Sequence, residues 1–134
     1  MKSISQVAEK VMYKLIDGLM QGNSHKKIDN SESIFMPVVV ELIGENYMGL
    51  EYSVAHYYRQ NGDSMADPEM IFWKGQDGHF YPVYYKQDGL GIEQISAGIN
   101  PENEQSFMVN QKLQAQHAAF ANTWMKNIKY QQGL

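Results

Sequence analysis

The sequence predicts an α+β fold, a four-stranded antiparallel meander flanked by an N-terminal helix and a long C-terminal helix, in the order α-β-β-β-β-α. Three observations predict it. A helical apolar stripe opens the chain, β-branched and aromatic runs joined by turn residues fill the middle, and a second helical stripe closes it.

From Ser3, residues Ile4, Val7, Ala8, Val11, Met12, Leu15, Ile16, Leu19 and Met20 recur every three or four positions, so one broad stripe of a helix must be buried. Ser3 followed by Gln6 fits a capping box, and Gly22 with Asn23 supplies a left-handed stop. Residues 23–33 are polar and read as a connecting loop. The first strand is expected over 34–43 and the second over 47–59, with Gly44, Glu45 and Asn46 as the turn between them. Along the second strand Leu50, Tyr52, Val54, His56 and Tyr58 share one face, read as the core face, and Glu51, Ser53, Ala55 and Tyr57 share the other. A third strand over 69–74 joins a fourth over 79–86 through the turn at 75–78.

Pro37 and Pro82 fall inside the first and fourth runs. Proline cannot donate to a central ladder, and a meander in the order 1-2-3-4 puts both on edge strands. Residues 87–100, with three glycines, read as an irregular return segment. Asn100, Pro101 and Glu102 then form a good helix start, and Phe107, Leu113, Phe120, Ala121, Trp124 and Ile128 give its apolar seam, running to about Tyr130. At ~1.5 Å per residue this helix spans on the order of 40 Å, longer than a four-stranded sheet can cover, so it overhangs or breaks in two.

At 15.4 kDa the chain has the size of one domain, and residues 1–134 are read as a single α+β domain. Cysteine is absent, which excludes disulfides, thiolate catalysis and sulfur-ligated zinc. No early run has the form of a signal peptide and no segment approaches the ~20 apolar residues of a membrane span, so the expectation is a cytoplasmic, bacterial protein away from the membrane. The formal charge is −4, with Arg59 as the single arginine beside ten scattered lysines. Direct nucleic-acid binding needs clustered cations and is not expected.

The segment HYYRQNGDSMADPEM, residues 56–70, concentrates polar and aromatic groups. His56-Tyr57-Tyr58, Asn61-Gly62-Asp63 and Asp67-Pro68-Glu69, with Gln60 and Met65 between them, resemble a family of uncharacterised small domains encoded by bacterial plasmids, conjugative elements and phages. In that family a His-Tyr-Tyr, an Asn-Gly-Asp and an Asp-Pro-Glu recur in this order. The likeness runs over about residues 36–95 and extends to Pro82, Gln87 and Asp88, while Tyr84 stands where a smaller polar residue is expected. It implies a mobile-element accessory protein and carries over no catalytic residue.

Read physically, Asn61-Gly62-Asp63 is turn chemistry and Asp67-Pro68 punctuates the start of the third strand. The chemical alternative is a site built from His56, Asp63, Asp67 and Glu69, where three carboxylates and an imidazole could hold a divalent metal or exchange protons. The spacing matches neither HExxH nor an EF-hand loop, so no metal, cofactor or catalytic residue is assigned. His56 reads as a strand histidine bonded to Asp63 or Asp67, His117 as a core or rim histidine, and His25 and His79 as exposed. No GxSxG elbow is present, and Gly89 with Gly91 lacks the context of a phosphate loop.

Tyr47, Tyr52, Tyr57, Tyr58, Tyr81, Tyr84 and Tyr85 fall on or beside strands, so one sheet face is expected to carry several amphipathic rings suited to an interface. The sequence therefore points to a non-enzymatic protein-interaction module with His56, Tyr58, Asn61, Asp63, Asp67 and Glu69 as candidate binding residues. Its partner is a protein or a second copy, met through the C-terminal helix or the tyrosine-rich face. The alternatives are a small metal-dependent or acid-base enzyme centred on His56 and a structural dimer subunit.

Overall fold

A computed structural model describes all residues, 1–134. The architecture is α+β with a helix at each end, as expected, but the sheet is larger than four strands. Helix α1 (Gln6–Ile16) is followed by β1 (His25–Ile28), β2 (Val38–Asn46), β3 (Gly49–Gln60), β4 (Asp63–Gly75), β5 (Phe80–Gln87), β6 (Ile92–Ile95), β7 (Ala97–Asn100), β8 (Asn103–Val109) and α2 (Gln111–Gln132). Strands β1 to β6 form one antiparallel meander in sequence order, and β7–β8 form a separate hairpin. The four expected strands are its centre; β1 and β6 come from segments read as loops. Both are only four residues long, too short for a periodic signal to stand out against their polar neighbours.

The helix boundaries also move. The cap of α1 is Ser5, whose hydroxyl accepts the Ala8 N–H at 3.2 Å, so the Ser3/Gln6 box is not used. The helix ends at Ile16, before Gly22, because Gly18 takes the left-handed conformation (φ +82°) and Leu19 N–H closes on Ile16 O. Asn100-Pro101-Glu102 starts no helix. Asn100 Oδ1 accepts the Glu102 N–H at 3.0 Å and turns β7 into β8, since the same Asx chemistry serves a hairpin as well as a helix cap. Asn110 caps α2 instead, and Phe107 belongs to β8. With 22 residues α2 is continuous and about 33 Å long.

Neither proline lies on an edge strand. Pro37 precedes the first paired residue of β2, and Pro82 lies in β5 ahead of the stretch Tyr84–Gln87 that pairs with β6. At Pro82 the ladder is replaced by side chains: its carbonyl accepts Gln114 Nε2 at 2.9 Å and lies 3.2 Å from the Ser96 hydroxyl, while a bulge at Val83 shifts the register.

Both helices cover one face of the sheet. There Val38, Val40, Tyr52, Val54, Met70, Phe72 and Phe80 meet Ala8, Met12 and Leu15 of α1 and Ala121, Trp124, Met125 and Ile128 of α2. On the opposite, outer face the β7–β8 hairpin folds over β4 and β5 and closes a second small core around Trp73, Val83 and Ala97. Its cover stops there, leaving Val39, Glu41, Glu51 and Tyr57 partly exposed on the outer face of β2 and β3.

The seam of α2 is more polar than expected. Gln114, His117 and Gln132 are buried on it, whereas Phe120 of the expected seam is exposed. Each polar residue bonds a neighbouring element. Gln114 Oε1 accepts Lys2 N–H (2.7 Å), His117 lies within hydrogen-bond distance of Ser96 Oγ (3.1 Å) and Gln94 Oε1 (2.9 Å), and Gln132 accepts Asn30 N–H (2.7 Å). Burial lowers the His117 pKa below the ordinary histidine value.

Candidate functional site

The segment 56–70 forms the distal half of the β3–β4 hairpin, and its tip is only two residues long. Asn61 (φ +54°) and Gly62 (φ +85°) take the left-handed conformations of a tight turn matched to strand twist. The strand therefore resumes at Asp63, and Asp67-Pro68 lies inside β4 where it was expected to begin it. The pairing steps from Ala55–Glu69 to Tyr57–Ala66, so Asp67 and Pro68 together face His56 across a bulge. This is a position where a strand tolerates proline, because no ladder N–H is required of it.

The bulge is held by the chain that leaves β5. Ala66 N–H donates to Asp88 Oδ2 at 2.7 Å, and Gln87 Nε2 donates to Asp67 Oδ1 at 3.0 Å. The Ala66 bond is the main cause holding the Asp88 carboxyl below its usual range, helped by Lys86 at 3.3 Å. A 3₁₀ turn, Asp88–Leu90, packs beneath, where a Cβ on Gly89 would come within 2.8 Å of the Tyr58 hydroxyl. Residues 20 and 22 positions apart in the chain, Asp67 with Gln87 and Ala66 with Asp88, thus form one joint.

The four groups of the proposed metal or acid-base centre do not converge. His56 is buried on the helix-covered face, where Nδ1 lies 2.9 Å from Pro37 O and the ring stands edge-on to Trp124, with centroids 5.6 Å apart. Its partner is a backbone carbonyl, in place of the expected Asp63 or Asp67. Glu69 is on the opposite face, accepting Ser53 Oγ–H at 2.7 Å. Asp67 is taken by Gln87, and Asp63 is exposed beside the turn. No group of three histidine or carboxylate side chains is arranged to hold a metal ion.

The tyrosines divide between the two faces, since side chains alternate along each strand. Tyr52 and Tyr85 point to the helices; Tyr85 packs edge-on to Phe120 at 5.2 Å. Tyr57, Tyr81 and Tyr84 belong to the outer face. Tyr57 is pushed up to about 12 by burial first and then by Glu69, Glu41 and Asp88; Tyr84 is raised by burial and by its hydrogen bond to Glu93. Both phenols remain neutral donors at physiological pH, within a surface that carries Glu41, Glu51, Glu69 and Glu93 against Lys27, Arg59 and Lys86. On α2 the sequence placed His117 at the core or its rim, where it lies, but Gln114 and Gln132 were missed because glutamine at helical spacing looks like a solvated face. The signal was present, since 114, 117, 121, 124, 128 and 132 keep three- and four-residue spacing.

A family model for a domain of unknown function, DUF6908, matches residues 6–134. The chain belongs to the DUF6908 family. The match covers both helices as well as the sheet, and it is consistent with the resemblance to an uncharacterised small-domain family. No curated protein and no solved structure matches the chain. For this DUF6908 domain the 56–70 segment meets the rest of the molecule at the Ala66–Asp67 joint, through His56 on Pro37 O and Trp124, and along the outer face. No helix is long and apolar enough to cross a membrane.

Proposed function

We propose that this chain is a non-enzymatic protein-interaction module, an accessory protein of a bacterial mobile element acting in the cytoplasm, whose recognition surface is the open outer face of β2 to β4. The observation that carries the reading is the division of labour in the 56–70 segment. Its polar groups are spent on scaffolding, with His56 on Pro37 O, Asp67 on Gln87 and Asn61-Gly62 on the turn. The same scaffold presents Tyr57 and Glu69 on a face that the β7–β8 hairpin leaves uncovered. Neutral tyrosine hydroxyls among carboxylates suit a cationic protein surface, because the phenols supply contact area and donors while the acids set charge complementarity. The mobile-element role rests on the likeness of the motif residues.

The test is quantitative co-purification from the native host using the wild type, Tyr57→Ala and Glu41→Lys, all checked for wild-type circular dichroism. The expected result is one basic protein enriched by the wild type and lost from both variants. Identical profiles for the three would sink the reading.

A further inference from the structure

The outer edge of β1 is unpaired, and exposed apolar side chains gather at both of its ends. Beyond β1 the chain passes through Glu32 and Ser33, both at positive φ (54° and 68°), and then presents Ile34, 77% exposed, with Phe35 and Met36. The turn is built firmly. Ser31 Oγ accepts Phe35 N–H at 3.0 Å, and the buried Gln132 accepts Asn30 N–H at 2.7 Å and donates to Met36 O at 3.2 Å. Two consecutive left-handed residues other than glycine are unfavourable and persist only where their surroundings hold them. Ahead of β1, Met20 (59% exposed) and Ile43 (45% exposed) join Leu19, Leu42 and Leu50 around an open groove of about 520 Å³. A bulge between Leu42 and Gly44 turns Ile43 outward.

We propose that two copies of this chain associate about a two-fold axis through the β1 edge, the Ile34–Met36 knuckle of each seated in the Met20/Ile43 groove of the other. An axis normal to the sheet sets the two β1 strands antiparallel. It carries the segment that follows β1 in one copy alongside the segment that precedes β1 in the second. The knuckle follows β1 and the groove lining from Leu19 to Ser24 precedes it, so the contact forms twice and closes. Both features lie on the helix side of the sheet, the knuckle through Gln132 of α2 and the groove through Leu19 and Leu50 on the main core, and the axis keeps that side common.

Charge tunes the pairing. A register centred on Lys27 sets Asp29 of the second copy opposite His25, whose Nδ1 also lies 3.6 Å from Glu41 Oε1 in its own copy. Lys26 does not oppose the pairing, because its Nζ is bonded to the carbonyls of Lys14 (3.4 Å) and Asp17 (2.9 Å) at the end of α1. Lys27 meets its own counterpart on the axis, and an edge lysine of this kind restrains pairing, so the association is weak and reversible.

Sedimentation velocity on the full chain over a concentration series tests this. The expected behaviour is a reversible monomer–dimer equilibrium, with a dissociation constant raised at least about tenfold by Ile34→Asp and by Met20→Asp. Both replaced side chains are exposed, so the far-UV circular dichroism stays that of the wild type. An equimolar mixture of the two variants recovers a heterodimer, since one knuckle and its groove remain intact, and Lys27→Thr tightens the wild-type dimer. A wild type that stays monomeric throughout, a dimer indifferent to both substitutions, or a mixture that fails to associate overturns the proposal.

Discussion

Replacing Gln114 by alanine removes the one side chain that ties the N-terminus, β5 and α2 together. The residue is fully buried; its Oε1 accepts Lys2 N–H at 2.7 Å and its Nε2 donates to Pro82 O at 2.9 Å. Pro82 O keeps the Ser96 hydroxyl at 3.2 Å, and Lys2 N is only part-buried, so neither group is fully orphaned. One incompletely satisfied buried group costs about 1–3 kcal/mol. Deleting the outer atoms of a fully buried side chain adds a cavity term, and together they give about 3 kcal/mol, a large share of the ~5–15 kcal/mol that holds a domain. The melting temperature falls by on the order of 10 °C. The assay is urea unfolding followed by the fluorescence of Trp73 and Trp124, with Gln114→Met as a space-filling control. A loss below ~0.5 kcal/mol for Gln114→Ala would refute the reasoning. A Gln114→Met variant as stable as the wild type would assign the whole effect to packing.

Gly49 (φ +146°) packs against β4 so closely that a Cβ would lie 2.0 Å from the Lys74 carbonyl oxygen, so Gly49→Ala should cost more than ~3 kcal/mol in denaturant unfolding. Gly62→Ala, at φ +85° in open space, should cost only the left-handed penalty of ~1–2 kcal/mol. Two histidines give opposite pH dependences. Burial lowers the His117 pKa, so its stabilising contribution is present above the unfolded value of 6.5 and is lost as pH falls through the lower folded value. The hydrogen bond that the His79 ring donates to the Glu9 carboxylate raises the His79 pKa, so that contribution is full below 6.5 and is lost as pH rises through the folded value. Unfolding midpoints measured across this range should lose their acid-side slope in His117→Gln and their alkaline-side slope in His79→Ala. Ultraviolet titration should find a group of tyrosines ionising near 12, and Glu69→Gln should bring Tyr57 downward; a single transition at the ordinary tyrosine value would contradict the outer-face electrostatics.

The amino-acid sequence alone determined the elements whose signal is periodic and local. Alternation over β2 to β5 and the stripe of α1 specify their own burial, and Asn61-Gly62 specifies a turn whatever surrounds it. The family resemblance, read on 36–95, included Gln87 and Asp88 with the motif without saying why. The structure supplies the reason, since these two side chains hold the bulge at Asp67.

The remainder was decided by tertiary structure, because it depends on which partner satisfies a polar group. The sequence favours Asn100 as the helix cap, because Pro101 and Glu102 follow it. Asn110 starts the helix because the residues between the two asparagines pair as β8 and cover Trp73. His56 could have met a carboxylate, yet the sheet turns it toward Pro37 O and sends Glu69 to the other face. His117 was expected at the core or its rim and is buried there, but nothing local marks Gln114 and Gln132 as buried until the N-terminus, β5 and the 30–36 turn bring donors and acceptors to them. Burial of a polar side chain is favourable only when such partners arrive from distant segments, and that condition belongs to the assembled fold, beyond the reach of any local pattern.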